Sequence, residues 1–396
     1  MVTYAGKLVL APMVRAGELP TRLLALKYGA DLVWSPEIVD KKLIQCSRQV
    51  NDALKTIDFV VAPAQEGKPT SVVFRTYPDV EKGKLIFQLG TSAPSLAVEA
   101  ALKVIQDVDG IDVNAGCPKH FSIHSGMGAA LLKTPEKLCS ILVSLVEEVG
   151  KPHNKPISVK IRILDNEEST LSLVRKLCAT GIANLTVHCR TTPMRNRQAP
   201  IRDYLPQIHR ICKENHVSLI MNGAIQNRSH FLKVREELGL AEDVGGMMAD
   251  CAEMNPTVFH PTPLPWYEAI RCYLEIARKF NHNVSNVKYM ITRIVPGKSK
   301  FYQYFTRCKT MDEITYVANQ MDETGLPLSD PSSYLEEKRQ NEKNEKKRAN
   351  DMKSQRTQQT KKHNVKEKLK KKLDTDQKRQ HEQAWESIET KKIRTE

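Results

Sequence analysis

The 396-residue chain lacks any long uncharged hydrophobic run. Leu138–Val146, with nine residues, is among the longest such stretches, whereas a transmembrane helix needs roughly 18 or more. The first residues, Met1–Lys7, also lack the basic and hydrophobic regions of a secretory signal. The sequence therefore predicts no membrane span and no secretion.

Paired cysteines are missing as well. The nine cysteines are scattered along the chain, and none forms a C-x-x-C pair. Their odd number and irregular spacing argue against a zinc ribbon, an iron–sulfur cluster or a disulfide framework. We expect no metal, and a reducing compartment, cytoplasmic or nuclear or both, in which most of the thiols are buried.

Acidic residues are too few to balance the basic ones, since 60 Lys+Arg face 46 Asp+Glu and leave a net charge of +14. Residues 336–396, the tail, hold 20 basic and 12 acidic residues, a net +8, with Trp385 as their only aromatic residue. So few apolar residues predict a disordered segment or a solvated single helix. Its basic run would attract phosphates, or serve nuclear import or solubility.

Short apolar runs rich in β-branched residues recur along the first 250 residues, and helical patterns separate most of them. Near-continuous runs of this kind suit parallel strands that are covered on both faces. Eight β–α units in about 250 residues predict a (β/α)8 barrel, the TIM barrel. The runs are Lys7–Met13, Asp31–Ser35, Lys84–Gly90, Gly110–Asn114, Ile157–Ile163, Asn184–Arg190, Val217–Gly223 and Val244–Ala249.

One further strand-like run, Ser71–Tyr77, breaks this count, and we assign it to a hairpin inserted before the third barrel strand. A doubly wound open sheet is the alternative fold, although no G-x-G-x-x-G motif follows the first strand. The barrel is predicted to occupy residues 1–260. Thr262–Pro265 has the composition of a linker, and helical spacing of the apolar residues after it predicts a small all-α domain at 265–330.

Polar side chains stand at the predicted carboxyl ends of several strands, where barrel enzymes hold their active sites. A structural partner would explain one such residue. Functional groups at five strand ends indicate a ligand with many hydrogen-bonding edges, because buried polar groups need partners. The residues at these ends are Pro12, Met13, Gln88, Asn114, Lys160, Arg162, His188, Arg190, Asn222 and Gly223.

The last two strands end in Asn222-Gly223-Ala224 and Ala249-Asp250. Backbone N–H groups of these loops form the usual phosphate site of such barrels, and small side chains allow close approach. A planar cofactor tethered by its phosphate would fit across the mouth, and FMN is the natural candidate. Lys160 would then lie near N1 and O2 of the flavin and stabilise the negative charge of the reduced ring.

A sharp turn follows the fourth strand, because Gly116 and Pro118 flank Cys117. A single cysteine is most often structural, but a cysteine in an N-x-G-C-P turn at a strand end favours chemistry. A neutral thiol, with a reference pKa of about 8.5, can donate a proton at neutral pH. Two later glycines, Gly126 and Gly128, would let the loop close over a substrate.

Seven segments occur in the order LAPM, QLG, DVNAGCPKHFS, SGMGAALL, VKIRI, VHCRT and NGAI. In this order they resemble the tRNA-dihydrouridine synthase family, over about residues 5–320. Glu37–Cys46, EIVDKKLIQC, resembles the eukaryotic branch that acts on U20 of the tRNA D-loop. Of these motifs, the combination of Cys117 with the Lys-x-Arg motif is the one specific to this family. The resemblance implies bound FMN, NADPH or NADH as the reductant, and a helical tRNA-binding domain after the barrel.

The resemblance also implies roles for single residues. Cys117 matches the proton donor, and Asn114 and Arg162 match positions near the target uracil. The residues that match flavin-contacting positions are Pro12, Met13, Val14, Gln88, Lys160, His188, Asn222, Gly223 and Ala224.

Three residues depart from the family pattern. Asp250 stands near the flavin phosphate, where a basic residue is usual. His124 replaces a lysine of the mobile loop, and Cys189 replaces a glycine. Backbone N–H groups would still bind the phosphate.

The predicted reaction is the reduction of a uridine in tRNA. NADPH would reduce FMN, a hydride would pass from the flavin N5 to uracil C6, and Cys117 would protonate C5. Because C5=C6 is conjugated to the C4 carbonyl, hydride addition builds enolate charge, which Arg162 and Asn114 would stabilise. The alternatives are a small-molecule flavin oxidoreductase and a non-catalytic RNA-binding barrel, with Asp250 as the change that cost it its cofactor.

Overall fold

The computed structural model describes residues 2–62 and 70–392. Residues 1 and 63–69 of the predicted barrel domain, and residues 393–396 of the predicted tail, lie outside the described residues. The chain forms two units, Met1–Ser329 and Asp330–Glu396. The strands are β1 Leu8–Leu10, β2 Leu32–Trp34, β3 Ile38–Val39, β4 Ser47–Asn51, β5 Thr56–Val61, β6 Ser71–Thr76, β7 Leu85–Gly90, β8 Gly110–Ala115, β9 Ile157–Arg162, β10 Asn184–His188, β11 Ser218–Asn222 and β12 Gly245–Met248.

Strands β1, β2 and β7 to β12 form a closed ring of eight parallel strands. Strand β1 pairs with β12 on one side and with β2 on the other, and β2 also pairs with β7. The predicted TIM barrel is therefore confirmed, and the alternative of an open sheet is wrong. Since all eight strands run in one direction, their carboxyl ends meet at one mouth.

Side chains alternate along each barrel strand between the surrounding helices and the interior. On β8, Ile111 and Val113 pack into the main hydrophobic core, whereas Asp112 and Asn114 form side-chain hydrogen bonds across the interior. The interior itself has two halves. One is apolar and contains Val9, Ala11, Leu32, Trp34, Ile86, Ile220 and Met247. The other is polar and contains Gln88, Asp112, Asn114, Ser158, Lys160, Arg162, Asn184, Thr186 and His188.

The chain between β2 and β7 forms an insertion larger than the sequence predicts. Strands β4, β5 and β6 make an antiparallel sheet of three strands, not a hairpin, although its β6 lies at the predicted Ser71–Tyr77. The polar and mostly exposed β4 gives no apolar alternation, so the sequence pattern does not mark it. Strand β3 pairs in parallel with the end of β7, at Leu89 and Gly90.

Helices cover the outside of the barrel, and two of them begin with a side-chain cap. Asn166 accepts a hydrogen bond from the Ser169 N–H at 2.9 Å, and Asn227 accepts one from the His230 N–H at 2.8 Å. The helices are α1 Leu19–Lys27, α2 Asp40–Ile44, α3 Pro78–Glu81, α4 Pro94–Val104, α5 His120–His124, α6 Pro135–Leu145, α7 Lys151–His153, α8 Glu167–Cys178, α9 Leu205–Glu214, α10 Arg228–Glu237 and α11 Asp250–Met254.

The predicted helical domain contains α12 Trp266–Lys279, α13 Val284–Ile294, α14 Lys300–Arg307 and α15 Met311–Asn319, and belongs to the same unit as the barrel. Their buried side chains include Tyr273, Met290, Phe301 and Phe305. Helix α12 packs against α1, and α13 packs against α11. The α11–α13 contact places the helical domain beside the mouth of the barrel, because α11 directly follows β12.

The second unit contains one long helix, α16 Ser332–Lys392. Every residue from 343 to 385 is exposed, so this part of the helix buries no apolar face. Of the two forms predicted for the tail, the structure shows the single solvated helix. Within the described part of the chain, no helix is both long and apolar enough to cross a membrane.

Candidate active site

Two adjoining cavities of about 300 Å³ and about 130 Å³ open at the carboxyl ends of the barrel strands. The structure brings all the predicted site residues to these cavities, while their roles remain predictions. Met13, Val14, Gln88, Asn114, Cys117 and Arg162 line the larger one, Asn222, Gly223 and Ala224 line the smaller one, and Pro12, Lys160, His188, Ala249 and Asp250 line both.

A chain of hydrogen bonds crosses the polar half of the interior and ends at the turn that carries Cys117. Gln88 donates from Nε2 to Asp112 at 2.8 Å and accepts from Asn114 Nδ2 at 3.0 Å. Asn114 Oδ1 in turn accepts the backbone N–H groups of Gly116 and Cys117 at 3.0 and 2.9 Å. Asn114 therefore fixes the turn that carries Cys117. This structural role is additional to the uracil contact predicted for Asn114.

The buried Asp112 carboxyl and the half-buried Lys160 ammonium interact through their charges at the cavities. Burial raises the pKa of Asp112 to about 6, although hydrogen bonds from Ser158 and Gln88 lower it. Burial also lowers the pKa of Lys160 to about 8; the Arg162 charge lowers it further, while Asp112 raises it. Lys160 has no hydrogen-bond or ion-pair partner among the described residues. A cation in this position offers its N–H groups to a ligand.

Arg162 joins the loops that follow β8 and β10. Its Nε donates to the Gly116 carbonyl at 2.8 Å and its Nη1 to the Thr191 carbonyl at 3.1 Å, which leaves Nη2 without a partner in the described part of the chain. The guanidinium is therefore held rigidly at the cavity wall, with one donor group available. This geometry suits a group that orients a bound ring.

His188 is neutral, because burial and the positive charges of Lys160, Arg162 and Arg190 lower its pKa to about 2. Its Nε2 lies 3.1 Å from Arg190 Nη1. Since a guanidinium only donates, Nε2 is the acceptor, and we assign the ring proton to Nδ1. His188 thus presents a neutral donor to the cavities and adds no charge.

The Cys117 thiol lies beside the Glu37 carboxyl. Burial raises the pKa of the thiol, and the charge of Glu37 raises it further, so the thiol holds its proton at neutral pH. Gly128 adopts a φ of +58°, and a Cβ there would lie 2.4 Å from Ser122 Oγ and 2.7 Å from the Cys117 carbonyl oxygen. The glycine is therefore required for the loop to fold back over the cysteine turn.

Backbone groups of the turn after β11 line the smaller cavity. Asn222 Nδ2 donates to the Met247 carbonyl at 2.9 Å and so ties β11 to β12. Gly223 and Ala224 both have positive φ, at +122° and +52°, and their N–H groups have no acceptor among the residues that the structure describes. Arg202 holds this turn by donating to the Gly223 carbonyl at 2.7 Å.

Asp250, which departs from the family pattern, is not an isolated charge. Its two carboxylate oxygens accept hydrogen bonds from Asn196 Nδ2 at 3.1 and 2.9 Å. Burial and the Glu253 charge raise its pKa, while the Arg190 charge lowers it. Asn196 thus anchors the loop after β10 to the start of α11. Of the other departures, Cys189 is buried behind the cavity wall, and the His124 ring stacks on His120 at 5.3 Å.

The helical domain contributes Tyr289, which lines the larger cavity. Its hydroxyl donates to Glu253, and the Arg15 guanidinium lies 4.4 Å from the centre of its ring. Arg293 also contacts Glu253, at 3.1 Å. An aromatic ring and two cations therefore stand at the rim, a combination that suits nucleic acid. Within the described residues, no group of three or more His, Cys, Asp or Glu is placed to hold a metal ion.

Sequence reasoning missed Asp112, Glu37, Asn196 and Tyr289 as site residues. Asp112 carried a usable signal, because it stands two residues before Asn114 on the same strand and so points to the same side. The other three reach the mouth through loops or through the packing of α13 on α11. No spacing in the sequence encodes those contacts.

A family model described as "Dihydrouridine synthase (Dus)" matches residues 31–344 of this chain. The chain is 60% identical over 349 residues to the tRNA-dihydrouridine(20) synthase [NAD(P)+] of Saccharomyces cerevisiae, covering 87% of this chain and 91% of that protein. It is 46% identical over 320 residues to the protein of the same name in Schizosaccharomyces pombe, covering 79% of this chain and 65% of that one. It is 30% identical over 305 residues to the tRNA-dihydrouridine(20a/20b) synthase [NAD(P)+]-like protein of Mus musculus, covering 75% and 84% respectively.

Proposed function

This chain is an enzyme of the dihydrouridine synthase family, and from that premise we propose that it reduces uridine 20 in the D-loop of tRNA to 5,6-dihydrouridine. FMN would be its flavin and NADPH or NADH its reductant, and it would act in the cytoplasm, the nucleus or both. The name shared by its two yeast relatives, tRNA-dihydrouridine(20) synthase [NAD(P)+], supports both the position and the nicotinamide.

The observation that carries the proposal is the pairing of a protonated thiol with unsatisfied cationic donors in one cavity. Cys117, Lys160 and Arg162 all line the larger cavity. Reduction of a conjugated C=C bond needs a proton donor on one carbon and stabilisation of negative charge on the rest of the ring. Cys117 provides the first and Arg162 the second, while the Lys160 ammonium is available to the flavin that supplies the hydride.

The residues present fit FMN. The Lys160 ammonium, which lacks a partner among the described residues, suits the part of the flavin that becomes negative on reduction. The N–H groups of Gly223 and Ala224, which lack acceptors there too, suit a phosphate. His188 and Gln88 would contact the ring edge. Asp250 does not oppose this fit, because Asn196 binds its carboxylate and Arg190 lies nearby.

The chain's own residues would orient the uracil and move one proton. Bound FMN would deliver a hydride, taken from NADPH or NADH, to uracil C6. The Arg162 Nη2 group, and the Asn114 N–H that does not bond to Gln88, would hold the ring and offset the enolate charge that develops on C5 and O4. Cys117 would then transfer its thiol proton to C5.

A tRNA loop is the substrate that suits this mouth. The target base must leave its stack to reach a cavity at the end of a barrel, which costs a few kcal/mol and least in a single-stranded loop. Lys298, Lys300 and Tyr302 of the helical domain are exposed and would contact the backbone or bases of the RNA. Lys288 of the same domain instead donates to the Cys308 carbonyl at 3.0 Å.

Mass spectrometry of tRNA tests the proposal. Cells that lack the protein should lose dihydrouridine at position 20, and the wild-type gene should restore it, whereas a Cys117→Ala gene should not. The purified protein should carry a visible flavin absorbance band. A flavin-bearing protein that leaves tRNA unchanged would indicate the small-molecule oxidoreductase. A protein that binds tRNA but no flavin would indicate the non-catalytic barrel.

A further inference from the structure

Glu37 reaches the active-site cysteine by an indirect path. Strand β2 ends at Trp34, and the chain then crosses to the far end of β7, where β3 pairs with Leu89 and Gly90. This crossing places Glu37, the residue just before β3, at the wall of the larger cavity beside Cys117. The half-buried carboxyl therefore faces both the thiol and the solvent-accessible space of the cavity.

The surrounding residues fit the Glu37 side chain closely. A Cβ on Gly90 would lie 2.8 Å from Glu37 Oε1 and 3.2 Å from its Cγ, so only glycine leaves room for it. Ser122 Oγ lies 3.5 Å from Glu37 Oε1. The side-chain hydrogen bond between the thiol and the carboxyl raises the pKa of Cys117 and lowers that of Glu37. The same three groups, thiol, carboxyl and hydroxyl, thus form one cluster.

The proposed reaction consumes the thiol proton once in every turnover. When the S–H bond breaks and the C5–H bond forms, a thiolate is left next to the Glu37 carboxyl, in a site that disfavours both negative charges. The thiol must regain a proton from another group before the next uridine can react. Burial raises the pKa of Glu37, although Cys117, Ser122 and the Lys119 charge lower it. A thiolate formed beside this carboxylate raises the pKa of Glu37 further, because two neighbouring negative charges disfavour each other.

We propose that Glu37 passes a proton from water in the cavity to Cys117 after each reduction. The Glu37 carboxylate, ionised while the thiol holds its proton, accepts a solvent proton once the thiolate forms beside it. The carboxyl O–H bond then breaks as the thiol S–H bond re-forms, so that each turnover draws one proton from the solvent. Glu37 acts through Cys117 and touches neither uracil nor flavin in this scheme. The inference depends on the proposed function, because it assumes that Cys117 is the proton donor.

The other ionisable groups near the thiol are less well placed. Lys160 and Arg162 interact with Cys117 only through their charges, and a guanidinium does not give up its proton. Lys119 is exposed, and it is the backbone of this residue that hydrogen-bonds to the thiol. Glu37 is the group that combines a side-chain hydrogen bond to Cys117 with access to the cavity.

Alkylation of Cys117 tests its contact with Glu37, and this assay needs neither flavin nor tRNA. In Glu37→Gln the thiol loses a neighbouring negative charge, so its pKa should fall and iodoacetamide should modify Cys117 several-fold faster at pH 7.5, as measured by peptide mass spectrometry. The matched control is Glu99→Gln, on the exposed face of α4, which should alkylate at the wild-type rate. An unchanged rate in Glu37→Gln would overturn the contact and with it the inference.

Turnover kinetics test the proton return. Protein reduced in advance with NADPH without oxygen should give a first dihydrouridine per Glu37→Gln molecule at the wild-type rate, because the thiol starts protonated. Later turnovers should slow by roughly tenfold or more, as loss of an acid group implies. Acetic acid or formic acid buffers should restore multiple turnovers to Glu37→Ala, since a small acid can enter the space of the missing side chain.

Other kinetic results would contradict the proton-return role of Glu37, each in a different way. A first turnover slowed as much as later ones, with no rescue by small acids, would show that Glu37 only orients the thiol. Wild-type turnover throughout would show that another group, such as Lys160, returns the proton. If the wild-type protein itself makes no dihydrouridine, the proposed function fails, whatever the alkylation shows. Normal flavin content in both Glu37 variants would show that they are folded.

Discussion

Replacing Lys160 with methionine should make the protein more stable while it damages the site. Methionine keeps most of the length and the apolar stem of the side chain and removes the ammonium. The structure shows why the ammonium is costly: it lies in the barrel interior without a hydrogen-bond partner among the described residues. Burial, followed by the Arg162 charge, therefore lowers its pKa from 10.5 to about 8.

The lowered pKa of Lys160 sets both the size and the pH dependence of the stability gained in Lys160→Met. A shift from 10.5 to about 8, at about 1.4 kcal/mol per pKa unit, sets an upper bound of about 3.5 kcal/mol. Solvent in the cavity reduces this penalty, and Asp112 loses a stabilising charge, so we expect about 1–3 kcal/mol at pH 7. The unfolded chain binds the lysine proton more tightly than the folded one. The penalty is therefore full below pH 8 and disappears as the pH rises towards 10.5.

Urea unfolding of flavin-free protein, followed by tryptophan fluorescence, measures the effect at pH 7 and at pH 9.5. Lys160→Met should unfold at higher urea than wild type at pH 7, with a smaller difference at pH 9.5. The control is Lys137→Met on the exposed face of α6, which should change stability by no more than about 0.5 kcal/mol at either pH. In the flavin-loaded comparison, Lys160→Met should retain less flavin or reduce it more slowly.

Two results would refute this reasoning. Equal or lower stability of Lys160→Met at pH 7 would mean that the ammonium is satisfied in the folded protein. A gain that is the same at pH 7 and pH 9.5 would mean that packing, and not the charge, separates the two side chains. Unchanged flavin content and reduction kinetics would in addition remove Lys160 from the cofactor site.

Three further outcomes are expected. Cys117→Ala should keep its flavin and its NADPH-driven reduction but lose tRNA reduction by about 100-fold or more; a wild-type yield of dihydrouridine would exclude the proton-donor role. Gly128→Ala should lose tRNA reduction and about 1–3 kcal/mol of stability, because its Cβ would collide with Ser122 Oγ at 2.4 Å and its φ of +58° is strained; normal tRNA reduction in a folded variant would contradict the geometry of the cysteine turn. Deleting residues 336–396 should leave the barrel folded and make log K against log salt for tRNA binding shallower, because the deletion removes a net +8; identical slopes would mean that the tail does not touch RNA.

The barrel could be predicted because its strands are covered on both faces, so that each one appears as a short apolar run. The same rule explains what was missed. Strand β4, with the sequence SRQVN, is mostly exposed on the added sheet and carries no apolar pattern. Strand β5, TIDFVV, is mostly buried, yet it was not among the predicted strands. An insertion has no periodic signal that tells its strands from those of the barrel.

The site was predictable to the extent that strand ends and turns define it. Asn114, Lys160 and Arg162 stand on β8 and β9 at inward positions, and alternation along a strand is enough to find them. Glu37 belongs to the segment Glu37–Cys46 that resembles the eukaryotic branch of the family, yet its contact with Cys117 depends on β3 pairing with the far end of β7. Asn196 depends in the same way on a loop that folds back to Asp250.

The solvated helix α16, with 61 residues, will distort the circular dichroism signal that reports helix content. Residues 343–385 are all exposed, so no packing stabilises this part of the helix, and isolated helices lose their structure gradually on heating. Circular dichroism at 222 nm should therefore fall over a broad range at low temperature, before the barrel unfolds in a sharp step. An apparent midpoint taken from that signal would average two unrelated events, and only protein cut before residue 336 would give the melting temperature of the catalytic unit.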